Sequence, residues 1–208
     1  QLLRDAAADT AALCKGMLNG DLGSYDSGHW SSVPKPLSTV LGSLLLRSLT
    51  LLLLSMCVGG VVGASIGFLA AALRRRSVSL GLMMLSIVGI STPSFFLGML
   101  LQHLEITFYK QSGFRLLPVG GFGWDSHMVL PVLVLSARPV AQVTRLTHAR
   151  VTAILDREYV RTAQGKGLRS LDVWLGHILP NALGSVLTAI YTSLRFSLSS
   201  LPVVEYLF

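Results

Sequence analysis

Apolar residues in this chain come in long unbroken blocks, separated by short polar and basic stretches, with neither the strict alternation of a half-buried strand nor the single apolar stripe of a surface helix. Four blocks run from about Leu44 to Leu73, Leu80 to Phe108, Met128 to Leu146 and Ala182 to Phe208. Each is long enough to cross a hydrocarbon core of ~30 Å, which takes ~20 helical residues. The pattern predicts an all-α fold, a polytopic transmembrane helical bundle. Residues 1–41 form a segment ahead of it and residues 42–208 the transmembrane domain.

Charge orients the bundle. Arg74, Arg75 and Arg76 separate the first two blocks, and Arg145, Arg150, Arg157, Arg161, Lys166 and Arg169 separate the last two, so both loops are expected in the cytoplasm. The Tyr109–His127 loop and the residues before Leu41 are then expected outside. The chain opens on a mixed polar segment without the pattern of a cleavable signal, and it stops inside an apolar run at Phe208, which reads as an excerpt of a longer protein.

Composition narrows the class. Apolar residues make up 51% and charged residues 13% of the 208, which is unlike a soluble domain. The formal charge of +7 does not point to nucleic acid, because the basic residues gather where helices leave the bilayer and no aromatic and basic surface accompanies them. Cys14 and Cys57 lie in different environments and read as two unpaired thiols. His29, His103, His127, His148 and His177 are too dispersed for metal-ligand spacing, so no metal site is expected. No nucleophile–histidine–acid set and no phosphate-binding glycine loop is present, so no catalytic residues are assigned and ATP hydrolysis by this chain is not expected.

The polar insert between the last two blocks, about residues 150–180, carries the most information. It reads Glu158-Tyr159-Val160-Arg161-Thr162-Ala163-Gln164-Gly165-Lys166-Gly167-Leu168 and closes on Ile178-Leu179-Pro180. Residues 156–164 have helical character, Gly165 and Gly167 around Lys166 allow a sharp turn, and a second short helix can follow from Ser170 until Pro180 breaks it. Helix, turn and helix make a rigid finger that can lie in a groove on a soluble partner and move with it as one body. The plainer alternative is a basic loop anchoring two helices at lipid head groups.

Ala163, Gly167, Leu179 and Pro180 fit a pattern of Ala, three residues, Gly, and Leu-Pro thirteen residues on. This insert resembles the "EAA" cytoplasmic loop by which permease subunits of ABC importers grip their ATPase. The likeness extends along the chain to the peptide and nickel permeases: Gly20-Asp21-Leu22-Gly23-Ser24 and Lys35-Pro36-Leu37 are similar to their external segment. Gly89-Ile90-Ser91-Thr92-Pro93-Ser94-Phe95-Phe96-Leu97-Gly98 resembles their third helix, Leu116-Leu117-Pro118-Val119-Gly120-Gly121 their external loop, and Val203-Val204-Glu205-Tyr206-Leu207-Phe208 the outer end of their fifth. Two positions depart from the pattern. Arg161, Thr162 and Ala163 stand where other importers have Glu-Ala-Ala, with the nearest acid at Glu158, and Arg138 stands beside Pro139 where the family usually has apolar residues.

The resemblance implies the type I ABC importer permease fold, with the first and last helices absent from this excerpt, in the bacterial cytoplasmic (inner) membrane. It implies a second, homologous permease subunit, two ATP-binding subunits and an extracytoplasmic solute-binding protein, all set in or against the lipid bilayer, with no nucleic acid. ATP and Mg would be used by the ATPase subunits and no cofactor by this chain. Coupling to the ATPase would fall to Glu158, Arg161, Ala163, Gly165, Gly167, Leu168, Leu179 and Pro180, with His177 in the same loop. Peptide, nickel and glutathione permeases share these motifs. An ion-coupled secondary transporter or channel is the alternative from another class, and a membrane-embedded scaffold a third; adjacent ATPase and binding-protein genes favour the importer.

Within the blocks, Gly59, Gly63 and Gly67 place three small residues on one helix face and predict close helix packing. Pro93 predicts a kink or a hinge, with Ser91 and Thr92 available to satisfy the freed carbonyl. Arg138 and Arg195 sit where a charge costs ~2.5 to 3.5 kcal/mol on insertion scales, so each should face protein or water. They either line a translocation pathway, meeting a carboxylate or carbonyls, or pair with Glu105 or Glu205, or snorkel to the interface.

The charge pattern makes a topological prediction. In a cysteine-free background of the full-length protein, single cysteines at Ser77 and Ser170 should resist an impermeant maleimide in intact cells, and one at Ser112 should react. Reaction at Ser170 with protection at Ser112 would invert the orientation.

Overall fold

The computed structural model of the chain describes residues 10, 15–16, 23–25 and 35–208; Cys14, His29 and residues 20–22 of the external motif lie outside the described residues. The chain divides into two compact units, Gln1–Thr50 and Leu51–Phe208. In the first, β1 (Ser24–Tyr25) pairs antiparallel with β2 (Lys35–Pro36), Ser24 opposite Pro36 and Tyr25 opposite Lys35. The Leu37 N–H donates to the Gly23 carbonyl at 2.9 Å, and α1 (Leu37–Leu73) begins there. The boundary between the units falls inside α1.

The second unit continues with α2 (Arg76–Ser91), α3 (Ser94–Ser112), a 3₁₀ turn at Ser126–Met128, α4 (Val129–Leu155), α5 (Glu158–Gly165), α6 (Ser170–Val173), a π turn at Trp174–Ile178 and α7 (Leu179–Leu207). Three helices are long and apolar enough to cross a membrane, Leu37–Leu73, Ser126–Leu155 and the composite Ser170–Leu207. Several hydroxyls within them are satisfied by their own helix: Ser55 donates to Leu51 O at 2.7 Å and Ser193 to Ala189 O at 2.8 Å, as hydrocarbon surroundings favour. Leu53, Leu69, Met84, Leu85 and Leu187 stay exposed, an apolar exterior suited to lipid.

Two expectations need correction. The second block is not one continuous, mildly kinked helix: α2 and α3 are two helices bent by 98° across Thr92 and Pro93, a pair that passes the length and hydropathy test for a span only when taken together. Pro93 has no N–H to continue the ladder, and Thr92 ends it by donating to the Val88 carbonyl from both its backbone N–H, at 2.9 Å, and its hydroxyl, at 2.7 Å. Ser91 takes no part in that bond. Nor does Pro180 break the chain before the last span. It sits in the first turn of α7, where the π turn has already reset the i→i−4 ladder and a missing N–H leaves no gap.

α4 packs most extensively against α7 and also against α2. One core cluster joins Leu51, Leu52, Val134, Leu135, Leu201 and Val204, and another Val143, Val186 and Ala189. α1 approaches α4 through its glycine ladder. A Cβ at Gly59 would lie 2.5 Å from Pro139 Cβ, at Gly63 2.9 Å from both Val140 O and Val143 Cβ, and at Gly67 2.7 Å from Thr147 Cβ and 2.8 Å from Thr144 O. Thr144 uses the closeness to donate its hydroxyl to Gly63 O at 3.1 Å.

Gly67→Ala therefore forces backbone apart and should cost about 1 to 3 kcal/mol. Gly81→Ala, at a position with nothing within 4 Å, should cost nothing measurable. Unfolding of the two variants in detergent micelles, side by side with the parent, tests this; equal stabilities would remove the ladder as a close-packing device.

Candidate coupling loop and polar groups of the membrane interior

The loop between α4 and α7 is built as a capped finger. At the end of α5 the Gly167 N–H donates to Gln164 O at 3.0 Å and the Leu168 N–H to Ala163 O at 3.4 Å, the paired bonds of a Schellman motif. Gly167 holds the left-handed position of that motif at φ +78°, which a residue with a Cβ resists. Gly165, expected to share the turn, is instead the last residue of α5 and has helical neighbours. α6 then starts after Arg169, whose carbonyl accepts from the Asp172 and Val173 N–H groups at 3.0 and 3.1 Å.

The finger has a buried underside and an exposed outer face. Val160 and Ala163 from α5, Val173 from α6 and Ile178 from the π turn join Val151, Ile154 and Leu155 of α4, Ala71 of α1 and Ala182 of α7 in one core cluster. Trp174 meets Phe68 edge to face, with ring centroids 6.5 Å apart. Ala163 thus acts by being small under the loop. Glu158, Arg161, Gly165, Gly167, Leu168 and Pro180 are exposed, and Leu179 is half-buried. Sequence reasoning missed Tyr159, Leu171 and Leu175, which like Leu168 are exposed and add apolar surface to a loop that also exposes Arg161, Lys166 and Arg169. Leu171 and Leu175, four residues apart on a helix, were the trace of it in the sequence.

Both basic loops meet at this end. Arg74, in the left-handed region at φ +48°, donates from Nη2 to the Leu155 carbonyl at 3.2 Å and lies 3.8 Å from the Asp156 carboxylate. The opposite end is closed by two side chains of α3. Gln102 Nε2 donates to Val119 O at 2.8 Å and Leu207 O at 2.9 Å, and buried Glu105 accepts the Leu116 and Leu117 N–H groups on Oε1 at 2.7 and 2.9 Å. Gly121 N–H donates to Phe208 O at 2.6 Å. Beyond the loop, the hydrogen bond from His127 holds the Asp125 carboxyl below its usual range.

Arg138 of α4 is half-buried and reaches across to α7. Its guanidinium lies 4.3 Å from the centroid of the Phe196 ring of α7, and its Nε is buried without a hydrogen-bond partner. Neither Arg138 nor Arg195 has an ion pair among the described residues, so the pairing with Glu105 or Glu205 does not form; Glu105 is committed to the outer loop's backbone. Arg195 is exposed on α7 and does not line the cavity at Arg138.

Helices long and apolar enough to span a membrane, with a capped finger set between α4 and α7, place the chain beside the membrane components of transport systems. Residues 63–208 match the family model described as the binding-protein-dependent transport system inner membrane component, and the chain belongs to that family, with the type I ABC permease fold. Among its relatives is the glutathione transport system permease protein GsiC of Salmonella choleraesuis (strain SC-B67), 35% identical over 192 residues, covering 92% of this chain and 60% of the relative. The dipeptide transport system permease protein DppB of Bacillus subtilis (strain 168) is 32% identical over 149 residues, 71% of this chain and 46% of that protein. A protein of Brucella suis biovar 1 (strain 1330), provisionally named a peptide transport system permease, is 28% identical over 187 residues, 88% and 60% of the two chains. The chain spans about three fifths of the length of such relatives. The peptide and nickel class of ABC permease expected from the motifs therefore stands, as does a multi-pass membrane protein.

Removing the Glu105 carboxylate strands two backbone donors. Glu105→Ala should destabilise the outer loop by about 1.5 to 3 kcal/mol, read as faster hydrogen exchange at Leu116 and Leu117 with the finger unchanged. Unaltered exchange at those amides would show that Glu105 does not hold the loop.

Proposed function

We propose that this chain is a translocation subunit of an ATP-driven importer in the bacterial cytoplasmic (inner) membrane, moving peptides or related small solutes such as glutathione, or nickel. Its partners in this reading are a second permease subunit, two ATP-binding subunits that use ATP and Mg, and an extracytoplasmic solute-binding protein; this chain binds no cofactor. The observation that carries the reading is the finger itself, rigid beneath and apolar above. ATPase closure would press on Leu168, Leu171 and Leu175. Val160 and Val173 would pass the displacement to α4 and α7, the helices that hold Arg138 and Phe196. An ion-coupled carrier is less well supported, because the buried carboxylate of Glu105 already accepts two backbone N–H groups.

Gly167→Val puts a β-branched residue at φ +78° and opens the Schellman turn, at a cost of about 1 to 3 kcal/mol. Insertion of the protein should persist while transport and substrate-stimulated ATP hydrolysis fall in the reconstituted complex. Full transport with normal stimulation would remove the coupling role.

A further inference from the structure

The break between α2 and α3, Arg138 and Ser197 converge on one small cavity. Thr92, Ser94 and Leu97 contribute its wall from the break and the first turn of α3, Arg138 from α4, and Ser197 and Ser200 from α7. The cavity measures about 20 Å³, room for one or two water-sized groups and not for a whole solute. Three features of its lining ask for negative charge.

The first is the α3 N-terminus. Pro93 supplies no side-chain cap and Ser94, the first residue of α3, lines the cavity, so the positive end of a nineteen-residue helix dipole lies beside it. The second is Ser197, 2% exposed, whose hydroxyl has no partner although it lines the cavity. The third is Arg138, whose buried Nε is likewise unpartnered and whose guanidinium is held against Phe196. Among the described residues no carboxylate pairs with Arg138. Of the ten acids in the chain only Glu105 and Glu205 lie in α3 and α7; the first binds the outer loop and the second is exposed. Thr92 is also spent, its hydroxyl bonded to Val88 O.

We propose that this cavity is a carboxylate subsite. A carboxylate brings two oxygens in a plane, which suits the guanidinium fork, with the Ser197 hydroxyl and the α3 N-terminus as further donors. A broken helix whose half-helix N-terminus faces an anionic solute group is a recurrent solution inside membranes. The subsite stands on the cavity alone; only the source of the carboxylate, the end of a transported solute, rests on the importer reading. The 98° break itself forms part of the wall, through Thr92 and Ser94.

The test uses the full-length protein assembled with its partner subunits in lipid nanodiscs, without ATP. Sodium acetate, acetamide, sodium chloride, L-alanyl-L-alanine and L-alanyl-L-alanine amide are titrated at matched ionic strength, and the unfolding midpoint is followed. Acetate and the free dipeptide should stabilise the complex and acetamide and the amide should not. Arg138→Gln should weaken acetate binding about tenfold or more and Ser197→Ala about threefold, with Arg138→Lys between Arg138→Gln and the parent. If Arg138→Gln fails to assemble, Ser197→Ala, which changes no charge, decides alone. Acetate binding without dipeptide binding keeps the subsite and excludes a peptide end as its source. Chloride matching acetate, shifts indifferent to both substitutions, or no shift with any probe would each overturn the subsite. A complex that binds acetate in nanodiscs yet, moved into sealed proteoliposomes with its binding protein and ATP, takes up no peptide would sink the importer reading and leave the subsite intact.

Discussion

Hydrocarbon offers no hydrogen bonds, and most of this structure follows from that one constraint. Hydroxyls on α1 and α7 turn back to carbonyls of their own helices. Where the chain must leave the helix, a side chain takes over: Thr92 closes α2 at the Pro93 break, and Gln102 and Glu105 hold the outer loop against the ends of α3 and α7. Residues that escape the rule stand out. Arg138 Nε and the hydroxyls of Ser197 and Thr147 are the buried, unpartnered side-chain atoms among the described residues, and the first two share one cavity.

The bundle was legible in the apolar blocks, since length and hydropathy suffice to find a membrane helix. The finger was legible too, because Gly167 marks a left-handed turn and Ala163 a place where the loop must sit close to the bundle. The spans were harder. Pro93 announces an interruption, but the choice between a kink and a 98° bend depends on how α2 and α3 pack against α4 and α7, and hydropathy carries nothing of that. Pro180 misled for a related reason: a proline breaks an α-helical ladder, and the π turn that removes the conflict leaves no mark in composition. Glu105 was expected, with Glu205, as an ion-pair partner because an arginine inside an apolar block needs one; its partners are backbone amides eleven and twelve residues on, which have no side-chain signature.

The finger also explains why so short a motif is so restrictive. Its outer face needs only an apolar and basic character, which many sequences could supply. Its underside must fit Ala71, Val151, Ile154 and Ala182 at once, and Val160, Val173 and Ile178 are fully or almost fully removed from solvent there. A partner that pushes the finger therefore pushes three membrane helices, since a close-packed contact transmits displacement and does not absorb it.

The corner at Arg74 is of a different kind. A residue with a Cβ in the left-handed region is there at some energetic cost, and what holds it is one bond to Leu155 O and an ion pair whose two side chains remain 58% and 63% exposed. An exposed pair at 3.8 Å contributes at most about 1 kcal/mol and fades with salt. Unlike the packed underside of the finger, the α1–α2 corner is tied to the root of the finger by polar contacts at the surface. Added salt would weaken that tie and leave the packed underside of the finger as it is.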